Sequence, residues 1–99
     1  METRGAMIVR FTPRAESDLA EILDFLIALS PEGARRVAAS LEEAIRVIAN
    51  HPFGARKTGR PLLFVKIVLR YPYKIFYRVR DDAIEIVHIR HASRRPWIA

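Results

Sequence analysis

Apolar residues in the first half of the chain recur every three or four positions, which is the period of an amphipathic helix. A short apolar run at residues 7–11 (MIVRF) comes first and predicts a strand. A helix is predicted to begin at Thr12-Pro13, since threonine is a good N-cap and proline is tolerated at the first helical position. Its apolar stripe consists of Ala15, Leu19, Ile22, Leu23, Leu26 and Leu29.

The same start signal returns at Ser30-Pro31-Glu32, so a second helix is predicted to follow the first almost at once. Asn50, Pro52 and Gly54 are expected to close it. Its apolar stripe consists of Ala34, Val37, Ala38, Leu41, Ile45 and Ile48. Two helices with so short a connection are expected to lie antiparallel as a hairpin.

In the second half of the chain the apolar pattern changes to a period of two, which is typical of strands. A basic loop at residues 53–61 is followed by predicted strands at 62–69, 73–80 and 83–90. Asp81-Asp82 is a plausible two-residue turn between the last two. The order β-α-α-β-β-β predicts an α+β fold, an antiparallel sheet with the helical hairpin packed on one face. Residues 1–99 are expected to form a single domain, with residues 1–6 as a flexible leader.

The alternation also predicts which strand residues share a face. From the turn, Arg78 is expected opposite Glu85 as an ion pair and Ile75 opposite His88, a hydrogen-bonded core histidine. In the preceding strand the core set is expected to be Leu63, Val65, Ile67 and Leu69. Lys66 then falls opposite Phe76, on the face that the helices leave uncovered.

That uncovered face is predicted to collect basic side chains around an apolar floor. Its expected cations are Lys66, Lys74, Arg78 and His91, and its floor consists of Phe76, Val87 and Ile89. Arg70 is expected at its rim, and the tail adds Arg94 and Arg95. Such a surface suits a phosphate backbone with stackable bases, and equally an amphipathic acidic peptide.

The charge distribution adds weight to this surface. The 99 residues carry a net charge of +6, but residues 1–49 have six basic and eight acidic residues, and residues 50–99 have eleven basic and three. The basic second half suggests an anionic partner, and a solvated basic surface that keeps the protein soluble explains the charge equally well. The chain has no cysteine, and three histidines without matching carboxylates predict no metal site and no cofactor. Neither a secretory signal nor a membrane-spanning segment is present, so a cytoplasmic location is expected.

Three stretches together resemble the RelE/ParE superfamily of type II toxins, from residue 7 to residue 97. They are TPRAESDLAEILDFL after the opening strand, VIANHP at the end of the second helix, and YPYKIFYRVRDDAIEIVHIRHASRRPW. The resemblance implies a cognate antitoxin that wraps and neutralises the toxin and carries any binding to operator DNA. It also implies growth inhibition, often in the service of plasmid stabilisation.

The superfamily has two functional branches. ParE-like members inhibit DNA gyrase by binding, whereas RelE-like members are ribosome-dependent endoribonucleases that cut mRNA. ESDLAEI and the long helical pair resemble the ParE branch more closely. Harmless expression of the chain alone would instead indicate a non-toxic binding domain.

The resemblance to the nuclease branch implies catalytic roles for Lys66, Lys74, His91 and Arg94. Lys66 or His91 would act as the base for the 2′-hydroxyl, while Lys74, Arg70 and Arg94 would hold the phosphate. Trp97 stands where several nucleases have a tyrosine, and an indole does not transfer a proton. The ParE-like alternative uses Arg70, Phe76, Arg78, Arg95 and Trp97 to bind the target or antitoxin.

Overall fold

A computed structural model describes residues 7–92 of the chain. The elements in chain order are β1 (Ile8–Phe11), α1 (Pro13–Leu29), α2 (Pro31–Asn50), β2 (Arg56–Lys57), β3 (Leu63–Ile67), β4 (Tyr73–Arg80) and β5 (Ala83–His91). The predicted α+β fold is therefore confirmed. The one unpredicted element is β2, a two-residue strand within the basic loop. The proposed leader, residues 1–6, lies outside the described residues.

Both helices begin at the residues that the sequence indicates. The Thr12 Oγ1 accepts a hydrogen bond from the Ala15 backbone N–H at 3.1 Å and thereby caps α1. Ser30 caps both helices at once: its backbone N–H ends α1 on the Leu26 carbonyl, and its Oγ accepts from the Gly33 N–H at 3.0 Å. A single residue therefore joins the two helices.

The sheet order is β1-β5-β4-β3-β2, so the first and last strands in the chain are neighbours. β1 runs parallel to β5, while the other pairs are antiparallel. The sheet is thus mixed rather than wholly antiparallel as predicted. Both helices pack on one face of it, where the largest fully buried side chains are Tyr77, Ile48, Ile75, Ile84, Ile86 and Ile89.

The predicted stripe of α1 is wrong at its last member. Leu29 is 68 % exposed, and the nearby Phe25 and Ile27 are also exposed, at 65 % and 52 %. The apolar end of α1 is therefore left outside the core, although it continues the helical period.

The β4–β5 hairpin follows the predicted register only as far as Tyr77 opposite Ile86. Beyond that pair the register shifts by one residue, and Phe76 lies opposite His88. Val87 is the extra residue of this bulge. The predicted pairing of Ile75 with His88 is therefore wrong.

The bulge lies where the neighbour of β5 changes from strand to helix. The Thr12 N–H donates to the Ile86 carbonyl at 3.0 Å, and the Thr12 hydroxyl donates to the Val87 carbonyl at 3.3 Å. Further along, the Ile89 N–H donates to the Asp18 carboxylate of α1 at 3.0 Å. These contacts satisfy the edge of β5 after β1 has ended. As a result, Ile89 packs in the core rather than on the opposite face as predicted.

The side chains of β3 also alternate in the opposite sense from the prediction, so that the residues expected in the core lie on the other face. Phe64 and Val68 join the core, whereas Leu69 is 79 % exposed. Lys66 lies opposite Ile75, and not opposite Phe76. The sequence misleads here because consecutive residues of β3, Leu63 to Val65, are all buried, so the strand has no polar face to set its phase.

Candidate functional site

The candidate site is the face of the sheet turned away from the two helices, which we call the open face. Cross-strand partners share a face, so the register defines its members. Its polar and aromatic members are Arg10, Arg56, Lys74, Phe76, Arg78, Arg80, Glu85, His88 and Arg90. Within residues 7–92, this face therefore carries six cations and a single carboxylate around one aromatic ring.

The sheet thus has the cationic face that the sequence suggests, but its membership differs. Lys66 and His91 lie on the helix-covered side, because their partners there are Ile75 and Tyr73. The His91 and Tyr73 rings pack in a T-shaped arrangement, with their centroids 5.4 Å apart. The prediction that Lys66, Lys74 and His91 share one surface is wrong. Arg94, Arg95 and Trp97 lie outside the described residues.

One end of the open face is organised by the ion pair predicted between β4 and β5. The Arg78 Nε lies 2.6 Å from Glu85 Oε1, and an Arg80 guanidinium nitrogen lies 3.4 Å from the same oxygen. The hydrogen bond from Arg78, assisted by the charges of both arginines, lowers the pKa of the Glu85 carboxyl. Glu85 therefore stays ionised and ties two of the six cations together.

The other end of the open face contains a buried histidine linked to α1. The His88 side chain is only 6 % exposed, and its Nδ1 lies 2.6 Å from the Asp18 carboxylate. Its Nε2 lies 3.5 Å from an Arg14 guanidinium nitrogen, and its ring stacks on Phe76 at 5.9 Å with an interplanar angle of 22°. The prediction of a hydrogen-bonded histidine holds, but the ring is on the open face because of the bulge.

The surroundings of His88 favour its neutral form. Burial is the main reason that the pKa of its imidazole is lowered, and the positive charges of Arg14 and Arg90 lower it further. The hydrogen bond and negative charge of Asp18 act in the opposite direction. Sequence reasoning missed Asp18 and Arg14, because 70 or more residues separate them from His88. The only local signal was their own i, i+4 spacing on α1.

A second concave surface lies on the helix-covered side, between α2 and the end of β3. This cleft of about 380 Å³ has apolar walls that include Ala44, Val47 and Leu69. Lys66 and Arg70, two residues predicted at the basic face, line it as well. They therefore lie together, but on a different surface from the one expected.

The fold matches chains in solved structures of toxin–antitoxin systems. A chain of the chromosomal ParDE toxin–antitoxin system from P. aeruginosa superposes with a TM-score of 0.78 at 23 % identity, covering 89 % of this chain and 98 % of that one. A chain of the RelBE2 complex from Mycobacterium tuberculosis gives a TM-score of 0.61 at 24 % identity, covering 94 % and 100 %. These similarities establish the fold of the chain.

Sequence relationships define the family more narrowly. Residues 9–96 match the model of the ParE toxin of type II toxin–antitoxin systems, parDE. Toxin RelE2 of Caulobacter vibrioides is 38 % identical over 86 residues, which cover 87 % of this chain and 96 % of that protein. Putative toxin Y4kP of Sinorhizobium fredii is 33 % identical over 91 residues, or 88 % and 90 % of the two chains. The chain belongs to the ParE toxin family.

Within the described residues, neither helix is long and apolar enough to cross a membrane.

Proposed function

We propose that this chain is a cytoplasmic toxin that arrests growth by binding DNA gyrase, as the ParE-like branch does. The match to the ParE family supports this target. The observation that carries the proposal is the separation of the residues that ribonuclease chemistry would use. Lys66 and His91, the two candidate bases, are on the opposite side of the sheet from Lys74, the candidate phosphate ligand.

This separation matters because general acid–base catalysis requires the base and the charge-stabilising groups to reach one phosphate. Side chains on opposite faces of a sheet point away from each other, with the backbone between them. A binding mode of inhibition has no such requirement. It needs a complementary surface, and the open face around Phe76 and Arg78, together with the exposed Arg70, supplies candidate contacts.

We infer that the partner in the resting cell is an antitoxin. Two solved relatives with the same fold come from toxin–antitoxin systems. The basic open face fits an acidic segment, and the cleft beside α2 fits an apolar one. Binding to operator DNA would then belong to the antitoxin.

The test is to add the purified toxin to gyrase and to a translating ribosome system in parallel. We expect loss of supercoiling and accumulation of cleaved DNA, with mRNA intact. Phe76→Ala and Arg70→Glu should each weaken gyrase inhibition about tenfold, the loss of one well-made contact. Arg35→Glu, on the outer face of α2, is the matched control and should inhibit like the wild type. Full gyrase activity at toxin levels that arrest growth would refute the proposal.

A second candidate function is ribosome-dependent mRNA cleavage. The 38 % identity to a protein named Toxin RelE2 favours it, and so does the pairing of Lys74 with Arg90 on the open face. It predicts that Lys74→Ala combined with Arg94→Ala abolishes both mRNA cutting and toxicity. Unchanged toxicity of that folded double variant would exclude it.

A further inference from the structure

We propose that Arg14 and Arg90 form a binding site for a phosphate group of single-stranded nucleic acid at the α1 edge of the open face, and that the Asp18–His88 pair positions Arg14 in it. Neither arginine was a candidate in the sequence analysis. The inference does not depend on gyrase being the target.

The first step is the protonation pattern of His88. Asp18 Oδ2 already accepts the Ile89 N–H at 3.0 Å and lies 2.6 Å from Nδ1, so a carboxylate there requires the proton of the neutral ring on Nδ1. Nε2 is then an acceptor, and it faces the Arg14 guanidinium at 3.5 Å. Asp18 also lies 4.0 Å from the Arg14 Nε. Two groups therefore restrict where the Arg14 side chain can lie.

The second step is the charge that surrounds the ring. From α1, Asp18 and Arg14 contact His88. Arg90 follows His88 by two residues on β5, and the register places both on the open face. From β4, its cross-strand partner Phe76 stacks on it, and Lys74 and Arg78 flank Phe76 on the same face. Both Arg14 and Arg90 are near enough for their charges to act on the imidazole. Lys74 is the cross-strand partner of Arg90 and adds a third cation to this end of the face.

The third step is the choice of ligand. Guanidinium groups bind phosphate oxygens through paired N–H donors, and an arginine held in place loses less conformational entropy on binding. The half-buried Phe76 ring beside them offers a surface on which a base can stack. A nucleotide matches both features, whereas a carboxylate side chain matches only the charge. The ligand class is therefore a phosphodiester strand with unpaired bases.

The experiment titrates the toxin with inorganic phosphate, a uridine pentanucleotide and a pentaglutamate peptide, while NMR follows the imidazole of His88. A phosphate held by Arg14 and Arg90 offsets their positive charge, so the pKa of His88 should rise when the ligand binds. Arg14→Gln and Arg90→Gln should each weaken pentanucleotide binding about tenfold. Arg14→Lys should weaken it less, because lysine keeps the positive charge but lacks the paired N–H donors of the guanidinium group. Arg35→Gln removes an exposed arginine elsewhere and should change nothing.

His88→Asn tests the positioning role. The shorter amide can still donate to Asp18, which keeps α1 attached to β5, but it has no ring nitrogen opposite Arg14. We expect about threefold weaker binding of the pentanucleotide at a temperature where this variant is folded; wild-type affinity in this variant would overturn the positioning role. Equal binding by Arg14→Gln and Arg35→Gln, or binding of pentaglutamate in preference to the pentanucleotide, would overturn the site. Gyrase assays on the same variants are independent, so failure here is distinguishable from failure of the proposed target.

Discussion

At the scale of single residues, His88 connects three parts of the molecule. Its ring contacts α1 through Asp18, β4 through Phe76 and the surface through Arg14. It is also nearly buried, so its charge state is linked to the stability of the fold.

Stability should therefore decrease on mild acidification. Because the folded state lowers the pKa of His88, the unfolded chain binds this proton more readily. The stabilisation that His88 contributes should be complete above the ordinary histidine pKa of about 6.5. The free energy of unfolding should then decline as the pH falls through the lowered pKa, by at most about 1.4 kcal/mol per pH unit. The pKa of Glu85 is also lowered, but its protonation reduces the stability of the fold only when the pH falls below about 4.5.

Urea denaturation between pH 7.5 and pH 5 measures this effect. His88→Asn should flatten the profile in that window, because it removes the imidazole whose pKa the fold lowers. A wild-type profile that stays level from pH 7.5 to pH 5 would contradict the assignment.

A second residue-scale prediction concerns Leu62, which has a positive φ of 61° and is 75 % exposed. The left-handed conformation costs a non-glycine residue about 1–2 kcal/mol. Glycine avoids this strain, but its greater entropy in the unfolded chain reduces the gain by about 0.4–1 kcal/mol. Leu62→Gly should therefore raise the free energy of unfolding by about 0.5–1 kcal/mol. Leu69→Gly is the matched control: it is 79 % exposed without a positive φ, and should destabilise. Thermal melts of both variants distinguish strain from simple loss of an exposed side chain.

At the scale of elements, the helical hairpin depends on one hydroxyl. Ser30 ends α1 and caps α2, so Ser30→Ala should lower the free energy of unfolding by about 1 kcal/mol, and Ser30→Gly by only a few tenths. Ser17→Ala, an exposed serine within α1, should be neutral or slightly stabilising because alanine is the better helix former. Chemical denaturation of the three variants checks this order; an unaffected Ser30→Ala would show that packing alone holds the hairpin.

The elements also show what the sequence can and cannot predict. Helix starts were predictable because Thr12-Pro13 and Ser30-Pro31 are local signals. The register near the turn was predictable because alternation is clear from Tyr77 to Ile86. The predicted register failed at Val87, since an apolar residue fits either face and the hydrogen bond at the bulge comes from Thr12, 75 residues away. The Asp18–His88 pair was hidden for the same reason: it exists only once α1 lies against β5.

At the scale of the whole molecule, the position of a charge matters more than its number. Glu85 on the open face and Glu32 on α2 each hold two arginines, Arg78 and Arg80 in the first case, Arg35 and Arg36 in the second. Replacing either Glu85 or Glu32 with glutamine raises the net charge by one. The exposed pairs of Glu32 contribute only about 0–1 kcal/mol. At position 85, glutamine keeps an oxygen that can accept the hydrogen bond from Arg78.

Glu85→Gln should therefore elute from a heparin column at a higher salt concentration than the wild type, because it releases two cations into an already basic face. Glu32→Gln should shift elution by a smaller amount. Equal shifts for the two variants would show that polyanions respond to the net charge and not to this face.

The parallel pairing of β1 with β5 has a consequence for synthesis. During translation, Ile8 to Phe11 emerge long before the strand that completes their ladder, since their partners begin at Ala83. Closing a loop of this length is slow compared with forming the helical hairpin. While the chain is still being translated, the helical hairpin can therefore form before the sheet, and the open face is completed only after β5 has been made.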